Sequence, residues 1–299
     1  MEIIKINAND AGQRLDSFMK KIMPRAAAGL IYKYIRTNKI KLNSKKPAPD
    51  TRLCEGDEIR FFGDSELVEF RKFNRVDYTL DVIYEDENII AVNKPAGLPC
   101  QSDINHKSDT LIDYIKSYLF DNGEYAPESE MSFSPALSNR IDFNTSGLCI
   151  AAKNAESLRI LNEKFKTREV RRFYMCLTQG VPNPKEGVIT TGVVKDEKQN
   201  KSFVVEKGGK EAQTRYKVLS EDGKTAVVEA EIITGRSHQI RMQMAHIGCP
   251  VLGDPKYGKG GKGQKLVSHK TVFDFKTDAG ILNYLKGKEV KIDTKLKRD

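Results

Sequence analysis

The sequence predicts an α+β protein: a small basic module at the N-terminus, then a larger domain on a largely antiparallel sheet. Three observations carry this reading. Period-two alternation recurs in hairpin-sized pieces around short turns, as in "AQTRYKVLSEDGKTAVVEAEIITG". Helical spacing of apolar residues is confined to a few short stretches between those pieces. No internal repeat runs through the chain.

The first module spans 1–63. In "AGQRLDSFMKKIMP" the apolar Leu15, Phe18, Met19 and Ile22 share one helical face, and Pro24 ends the helix. "AAAGLIYKYIRTNKI" sets Leu30, Ile31, Tyr34 and Ile35 on one face, with Lys33 and Arg36 on another. "KIKLNSKKPAPDTRLCEGDEIRFF" reads as two strands about a Lys-Pro turn and an "EGD" turn. Residues 64–78 have no clear period and are read as a linker to a domain over 79–297.

That domain opens with "LDVIYEDENIIAVNKPAG", two strands around an acidic turn. "SDTLIDYIKSYLF" is a helix with Ser108 or Asp109 as cap, and 121–135 is a polar surface loop. "AESLRILNEKFKTREV" is a helix leading into the strand "RRFYMCLTQG". After the Asp-Gly hairpin, "SHQIRMQMAHIGCP" is a short helix with Ser237 as N-cap and Gly248 and Pro250 as stop signals. "KGGKGQK" is a basic glycine loop, and the terminal "KLKRD" is expected to fray.

Composition narrows the function. With 39% hydrophobic and 30% charged residues, the 299-residue chain is globular rather than disordered. Apolar runs are too short for a membrane span, and "MEIIKINAND" does not read as a signal peptide. The five cysteines lack a C-x-x-C pair, which fits reduced, mostly packed thiols in a cytoplasmic protein. The net charge is +9, and residues 1–62 hold 13 Lys and Arg against 7 Asp and Glu. Two thirds of the excess therefore sits in one fifth of the chain, a footprint for a polyanion such as RNA.

The motif "NRIDFNTSGLCIAAKN" offers one carboxylate, Asp142, before a Thr-Ser-Gly turn. Glycosidase chemistry calls for two carboxylates, Mg²⁺ nucleases for several, and zinc enzymes for grouped His and Cys. His106, His238, His246 and His269 give no metal-ligand spacing. P-loop and G-x-G-x-x-G sequences are missing. What remains is metal-free, cofactor-free chemistry on one carboxylate, or a plain turn residue accepting from the Thr145–Gly147 amides.

Two resemblances decide between these. Q-R-L-D-x-F, L-I-Y-K-x-I-R-x-N-K-I-K-L-N and G-D-E-I-R resemble an S4 RNA-binding domain. R-I-D-x-x-T-S-G-L, N-K-P-A-G (93–97), R-x-Y (172–174) and T-G-R-S-H-Q-I-R…G-x-P-x-L-G-D-P-x-Y-G (234–258) resemble the RluA-type pseudouridine synthases, in the same order. The resemblance implies that Asp142 serves the exchange of an N1–C1′ for a C5–C1′ bond in uridine. Either attack on C1′ or removal of a C2′ proton would fill that role. It implies Arg241 as the cation beside it, against a surface arginine on an amphipathic helix. Tyr174 is implied to stack on the target base, and Arg140 to fill the space that the base leaves. Arg236 and His238 would meet phosphates, Lys94 would support the floor of the site or simply a Lys-Pro turn, and Lys33 and Arg36 would bind RNA.

Asn139 stands where the family commonly has histidine, Ile141 replaces leucine, and Phe143-Asn144 replace a charged pair. The expected activity is pseudouridine synthesis in structured RNA, 23S ribosomal RNA first, by a monomer needing no metal or small-molecule cofactor. A transfer-RNA synthase and a non-catalytic RNA-binding or ribosome-assembly protein are the alternatives.

Overall fold

The computed structural model describes residues 1–69, 73–102, 109–261, 263–294 and 296. It divides into two compact units. The first comprises Met1–Asp77, Lys116–Pro135 and Lys153–Glu156, and the second comprises Tyr78–Ile115, Ala136–Ala152 and Ser157–Asp299.

In the first unit β1 (Glu2–Lys5) precedes α1 (Leu15–Ile22) and α2 (Ala28–Arg36), then β2 (Ile40–Leu42) and β3 (Glu58–Phe61). β3 lies between β1 and β2, antiparallel to both. The apolar face of α1 is buried at every expected position, with Ile31 and Ile35 from α2 against it. Gly56 takes φ +85 in the "EGD" turn, where the Asp57 carboxylate accepts from the Cys54 amide at 2.7 Å.

Two expectations fail in this unit. The linker begins inside the core, because Val68 is buried with the α1 and α2 side chains. The stretch 121–135 is not a surface loop: Tyr125, Met131 and Phe133 are buried. Its backbone is drawn in by the buried Asp10, whose carboxylate accepts from the Met131 and Ser132 amides at 3.2 and 2.8 Å. A polar composition concealed a segment whose large apolar residues face inward.

The second unit is built on one large sheet of β4 (Val82–Glu85), β5 (Ile89–Lys94), β6 (Ala136–Leu137), β7 (Ser146–Ala152), β8 (Val170–Gln179), β9 (Glu186–Asp196), β10 (Lys201–Val205), β11 (Lys210–Glu221), β12 (Thr225–Ile232), β13 (Leu266–Phe273) and β14 (Glu289–Lys291). The main path runs β10-β9-β11-β12-β8-β13-β7-β5-β4. The β7–β13 pair is parallel and the other described pairs are antiparallel. The fold is therefore α+β on a mostly antiparallel sheet. The Asp-Gly hairpin forms between β11 and β12, with Gly223 at φ +80 and Asp222 accepting from the Thr225 amide at 2.8 Å.

Helices α3 (Leu111–Asp121), α4 (Ala155–Lys166) and α5 (Gln239–His246) complete the chain. The start of α3 is held by a reciprocal pair rather than by Asp109. The Thr110 amide donates to the Asp113 carboxylate at 3.1 Å, and the Asp113 amide to the Thr110 hydroxyl at 3.4 Å. Ser108, the other expected cap, lies outside the described residues, as do 295 and 297–299 of the terminal segment. Among the described residues no helix is long and apolar enough to cross a membrane. All five cysteines are free, and four are buried.

Candidate active site

Asp142 sits on a turn between β6 and β7. The turn closes through the Asp142 backbone carbonyl, which accepts from the Thr145 amide at 3.0 Å. Gly147, the glycine of Thr-Ser-Gly, has φ +113 and faces β13 so closely that a Cβ would lie 2.2 Å from the Ser268 carbonyl oxygen. Only glycine admits that parallel β7–β13 contact. The Asp142 carboxylate points elsewhere. It accepts from Arg241 Nη1 at 3.0 Å, across 99 positions of sequence, and its side chain keeps 27% exposure.

Arg241 comes from α5, which is not an amphipathic surface helix: Gln239 through Met244 are all buried. Its polar side chains are satisfied by the sheet. Gln243 Nε2 donates to the Ala212 carbonyl at 3.0 Å and to Thr191 Oγ1 at 3.0 Å, while Gln239 Nε2 donates to the Gln213 carbonyl at 2.9 Å. Ser237 does not cap this helix. The cap position is His238, in the left-handed region at φ 55.

Arg241 is bidentate toward Asp254, with Nε at 2.6 Å from Oδ2 and Nη2 at 2.9 Å from Oδ1. Asp254 is completely buried and also accepts from the Lys256 and Tyr257 amides at 2.8 and 3.1 Å. Burial would raise its carboxyl, but the Arg241 fork and those amides hold it below the usual carboxylate range. Arg241 answers in kind. Desolvation would lower the guanidinium, and Asp254 and Asp142 together keep it above its ordinary value. The Tyr257 ring lies 5.4 Å from the guanidinium carbon. The fork is thus fixed on Asp254, leaving Nη1 for Asp142.

Both residues border a cavity of about 660 Å³ that Arg140, Tyr174, Arg236 and His238 also line. Asp142 is the sole carboxylate among the described lining residues. Tyr174 is buried in β8, opposite Ala230 and Ser268. Burial pushes its phenol up, against the lowering pull of Arg172, so the ring is neutral at physiological pH. Burial likewise lowers His238, which presents a neutral imidazole 3.1 Å from the Tyr257 hydroxyl. His238 therefore offers hydrogen bonds rather than charge. Arg140 is exposed, and Arg236 is half-buried with Nε donating to the Glu211 carbonyl at 2.8 Å.

Lys94 takes the structural role that its Lys-Pro turn suggested and is not placed to contact RNA. It is fully buried, and its ammonium donates to the carbonyls of Pro95, Leu98 and Phe143 at 2.8, 2.7 and 3.0 Å. No N–H is left for a phosphate. Lys94 instead ties the 95–98 loop to the Asp142 turn. Lys33 and Arg36 are exposed on α2, in the other compact unit. Asn139, at the family's usual histidine, is buried and accepts from the Ile150 amide at 2.8 Å. Phe143 is exposed at the cavity. Among the described residues no group of three or more His, Cys, Asp or Glu is placed to hold a metal ion.

Residues 88–246, more than half of the chain, match the family described as RNA pseudouridylate synthase. The chain belongs to that family. It is 34% identical to the ribosomal large subunit pseudouridine synthase C of Rickettsia bellii (strain RML369-C), over 98% of this chain and 97% of that protein. It is 33% identical to an uncharacterized RNA pseudouridine synthase of Mycoplasma capricolum subsp. capricolum, over 95% of each. The solved human RNA pseudouridylate synthase domain containing 4 shares the fold with a TM-score of 0.55 at 23% identity, covering 73% of this chain and 89% of that one. The protein is a pseudouridine synthase, an isomerase with an RNA substrate. Two residues of this synthase escaped the sequence reading. Asp254 lies inside the matched G-D-P-x-Y-G motif, where its role as the anchor of Arg241 needed the fold to appear. Gln264 Nε2 donates to Thr145 Oγ1 at 2.5 Å and secures the Asp142 turn from the glycine loop.

Proposed function

We propose that this pseudouridine synthase is of the RluA type and modifies specific uridines of 23S ribosomal RNA, with Asp142 as the reacting carboxylate. The observation that carries the assignment is the Arg241–Asp142 ion pair at 3.0 Å in a cavity with no second described carboxylate. In the reaction the N1–C1′ bond breaks, the uracil turns, and C5 bonds to C1′. The C5 proton leaves and N1 ends protonated, so the composition is unchanged. Asp142 acts on the sugar, by attack on C1′ or by removal of the C2′ proton, and Arg241 fixes its direction.

Extruding a uridine costs a few kcal/mol of stacking. The neutral Tyr174 ring offsets part of this, at about 1–3 kcal/mol per stacked base. Arg140 fills the vacated space, and Arg236 and His238 contact the flanking backbone. Names of relatives such as the ribosomal large subunit pseudouridine synthase C of Rickettsia bellii support the ribosomal target. Residues 1–63 act as an S4-like RNA-binding domain, and 79–297 act as the catalytic domain. The enzyme works as a cytoplasmic monomer without a cofactor.

The decisive experiment compares wild type and Asp142→Asn on an unmodified 23S transcript, following tritium release from C5-labelled uridine. The variant should lose at least about 10³-fold in rate, or ~4 kcal/mol of barrier lowering, and still bind the RNA. Turnover near wild type would remove Asp142 from the chemistry. For the S4-like domain, Lys33→Ala/Arg36→Ala should reduce the salt slope of RNA binding by about 1 to 2. An unaltered slope would leave that domain without an RNA role at α2.

A further inference from the structure

A second, smaller hollow of about 170 Å³ adjoins the active-site cavity, with Arg172 and Ile232 in the walls of both. Arg168, Arg171, Arg172 and Arg215 line it, with Glu231 as its one carboxylate among the described residues. The arginines reach it from different elements: Arg168 from the turn after α4, Arg171 and Arg172 from β8, and Arg215 from β11. Glu231 is paired at both oxygens. Arg171 Nε donates to its Oε1 at 2.6 Å and Arg215 Nη1 to its Oε2 at 2.8 Å. Four guanidiniums against one carboxylate leave an excess of three positive charges.

Arg172 lies over the Phe165 ring at 5.2 Å, and its Nε is buried with no hydrogen-bond partner among the described residues. A buried donor without an acceptor costs about 1–3 kcal/mol, so an acceptor is expected there. Arginine forks match the oxygens of a phosphodiester, and the Phe165 face holds the guanidinium plane in place. The neighbouring cavity says which phosphodiester. A strand with one nucleotide in the larger cavity carries its adjacent phosphates across the shared wall.

We propose that the arginine hollow holds a backbone phosphate of the RNA strand next to the target uridine. This rests on the larger cavity being the uridine site. It makes Arg168 and Arg215 affinity determinants that take no part in the bond exchange. Both side chains stand toward solvent, Arg215 with 57% exposure, and neither lines the larger cavity.

The test measures the affinity of the full-length protein for an unmodified 23S transcript between 50 and about 200 mM salt, the range over which phosphate contacts are resolved. Arg168→Gln/Arg215→Gln should raise Kd about tenfold and lower the salt slope by about 1 to 2, leaving kcat at saturating RNA unchanged. Arg168→Lys/Arg215→Lys, which keeps the charge, should restore the slope and bring back only part of the affinity. Melting temperatures of both variants control for folding. An unchanged Kd and slope would overturn the proposal, and so would a fall in kcat at saturation with Kd intact. Conversion of the transcript by wild type is scored in parallel. Its failure strikes the ribosomal target, whereas an unchanged slope in an active enzyme strikes the hollow alone.

Discussion

Two cation–carboxylate webs in the catalytic unit share chemistry and differ in closure. In one, Lys164 donates all three ammonium hydrogens, to Glu169 Oε2 at 2.9 Å, the Thr277 carbonyl at 2.9 Å and Thr277 Oγ1 at 2.5 Å. Glu169 is completed by the Lys276 and Thr277 amides at 2.7 and 2.9 Å and the Thr167 hydroxyl at 2.8 Å. Neither Lys164 nor Glu169 lines the active-site cavity, and their side-chain exposures are 2% and 7%. In the other, Arg241 is equally buried, yet only Asp254 is sealed in with it. Asp142 keeps more than a quarter of its side chain open to the cavity. The closed web ties α4 to the segment before the C-terminal strand. The open web divides its work: one carboxylate is the anchor, and the other is presented to a substrate. Closure, rather than the presence of a buried ion pair, separates a structural site from a reactive one.

The largest effect that can break this comparison is removal of the anchor. Asp254→Asn keeps the volume and an oxygen that accepts from the Lys256 and Tyr257 amides but takes away the charge that fixes the Arg241 fork. Asp142 should then drift from its productive position, and misplacement of about 1 Å can cost on the order of 10²-fold in kcat. RNA affinity should hold, because Asp254 is buried and does not line the cavity. Arg241→Lys should behave alike, since one ammonium cannot serve both carboxylates with a fork's geometry. Single-turnover rates at saturating transcript check both variants. Wild-type kcat in Asp254→Asn would mean that the two webs do not differ in the way described.

Much of this was legible beforehand, for identifiable reasons. Leu15, Phe18, Met19 and Ile22 announced α1 because a surface helix must keep its apolar stripe in register. The Asp222-Gly223 turn announced the β11–β12 hairpin because few residues adopt its backbone. The Asp142–Arg241 pairing was expected from resemblance alone. No local pattern links positions 99 apart, and the geometry now supplies the contact. What stayed hidden was hidden by context. The helix α5 looks amphipathic, but Gln239 and Gln243 are buried against partners in the sheet, and Arg241 against the loop carboxylate of Asp254. For Lys94 the sequence left a site-floor support and a Lys-Pro turn open, and the three carbonyls that claim its ammonium join the two. β9, β10 and β13 were not read as strands, although β13 sits mid-sheet between β8 and β7. Its sequence, "LVSHKTVF", breaks alternation with a His-Lys pair that meets Glu229 at 3.0 and 3.4 Å.

The closed web yields the smaller effect on function and a sharper one on stability. Burial would raise the Glu169 carboxyl, but the Thr277 amide, the Lys164 ammonium, the Thr167 hydroxyl and the Lys276 amide hold it far below the usual carboxylate range. A carboxyl with a depressed folded-state pKa contributes stability that is fully present above its unfolded value, about 4.5 for glutamate, and is lost as pH falls through the folded value. Glu169→Gln should therefore lower Tm at pH 7 by roughly 5–10 °C, because it strands the buried Lys164 ammonium. Its deficit relative to wild type should shrink below about pH 4.5, where wild type begins to lose the same contribution. At 25 °C, kcat should match wild type, since the web touches neither Asp142 nor the cavity lining. A constant Tm difference from pH 3 to about 7 would show that the Glu169 charge is not what stabilises this corner, and a fall in kcat would show that the closed web is coupled to the open one.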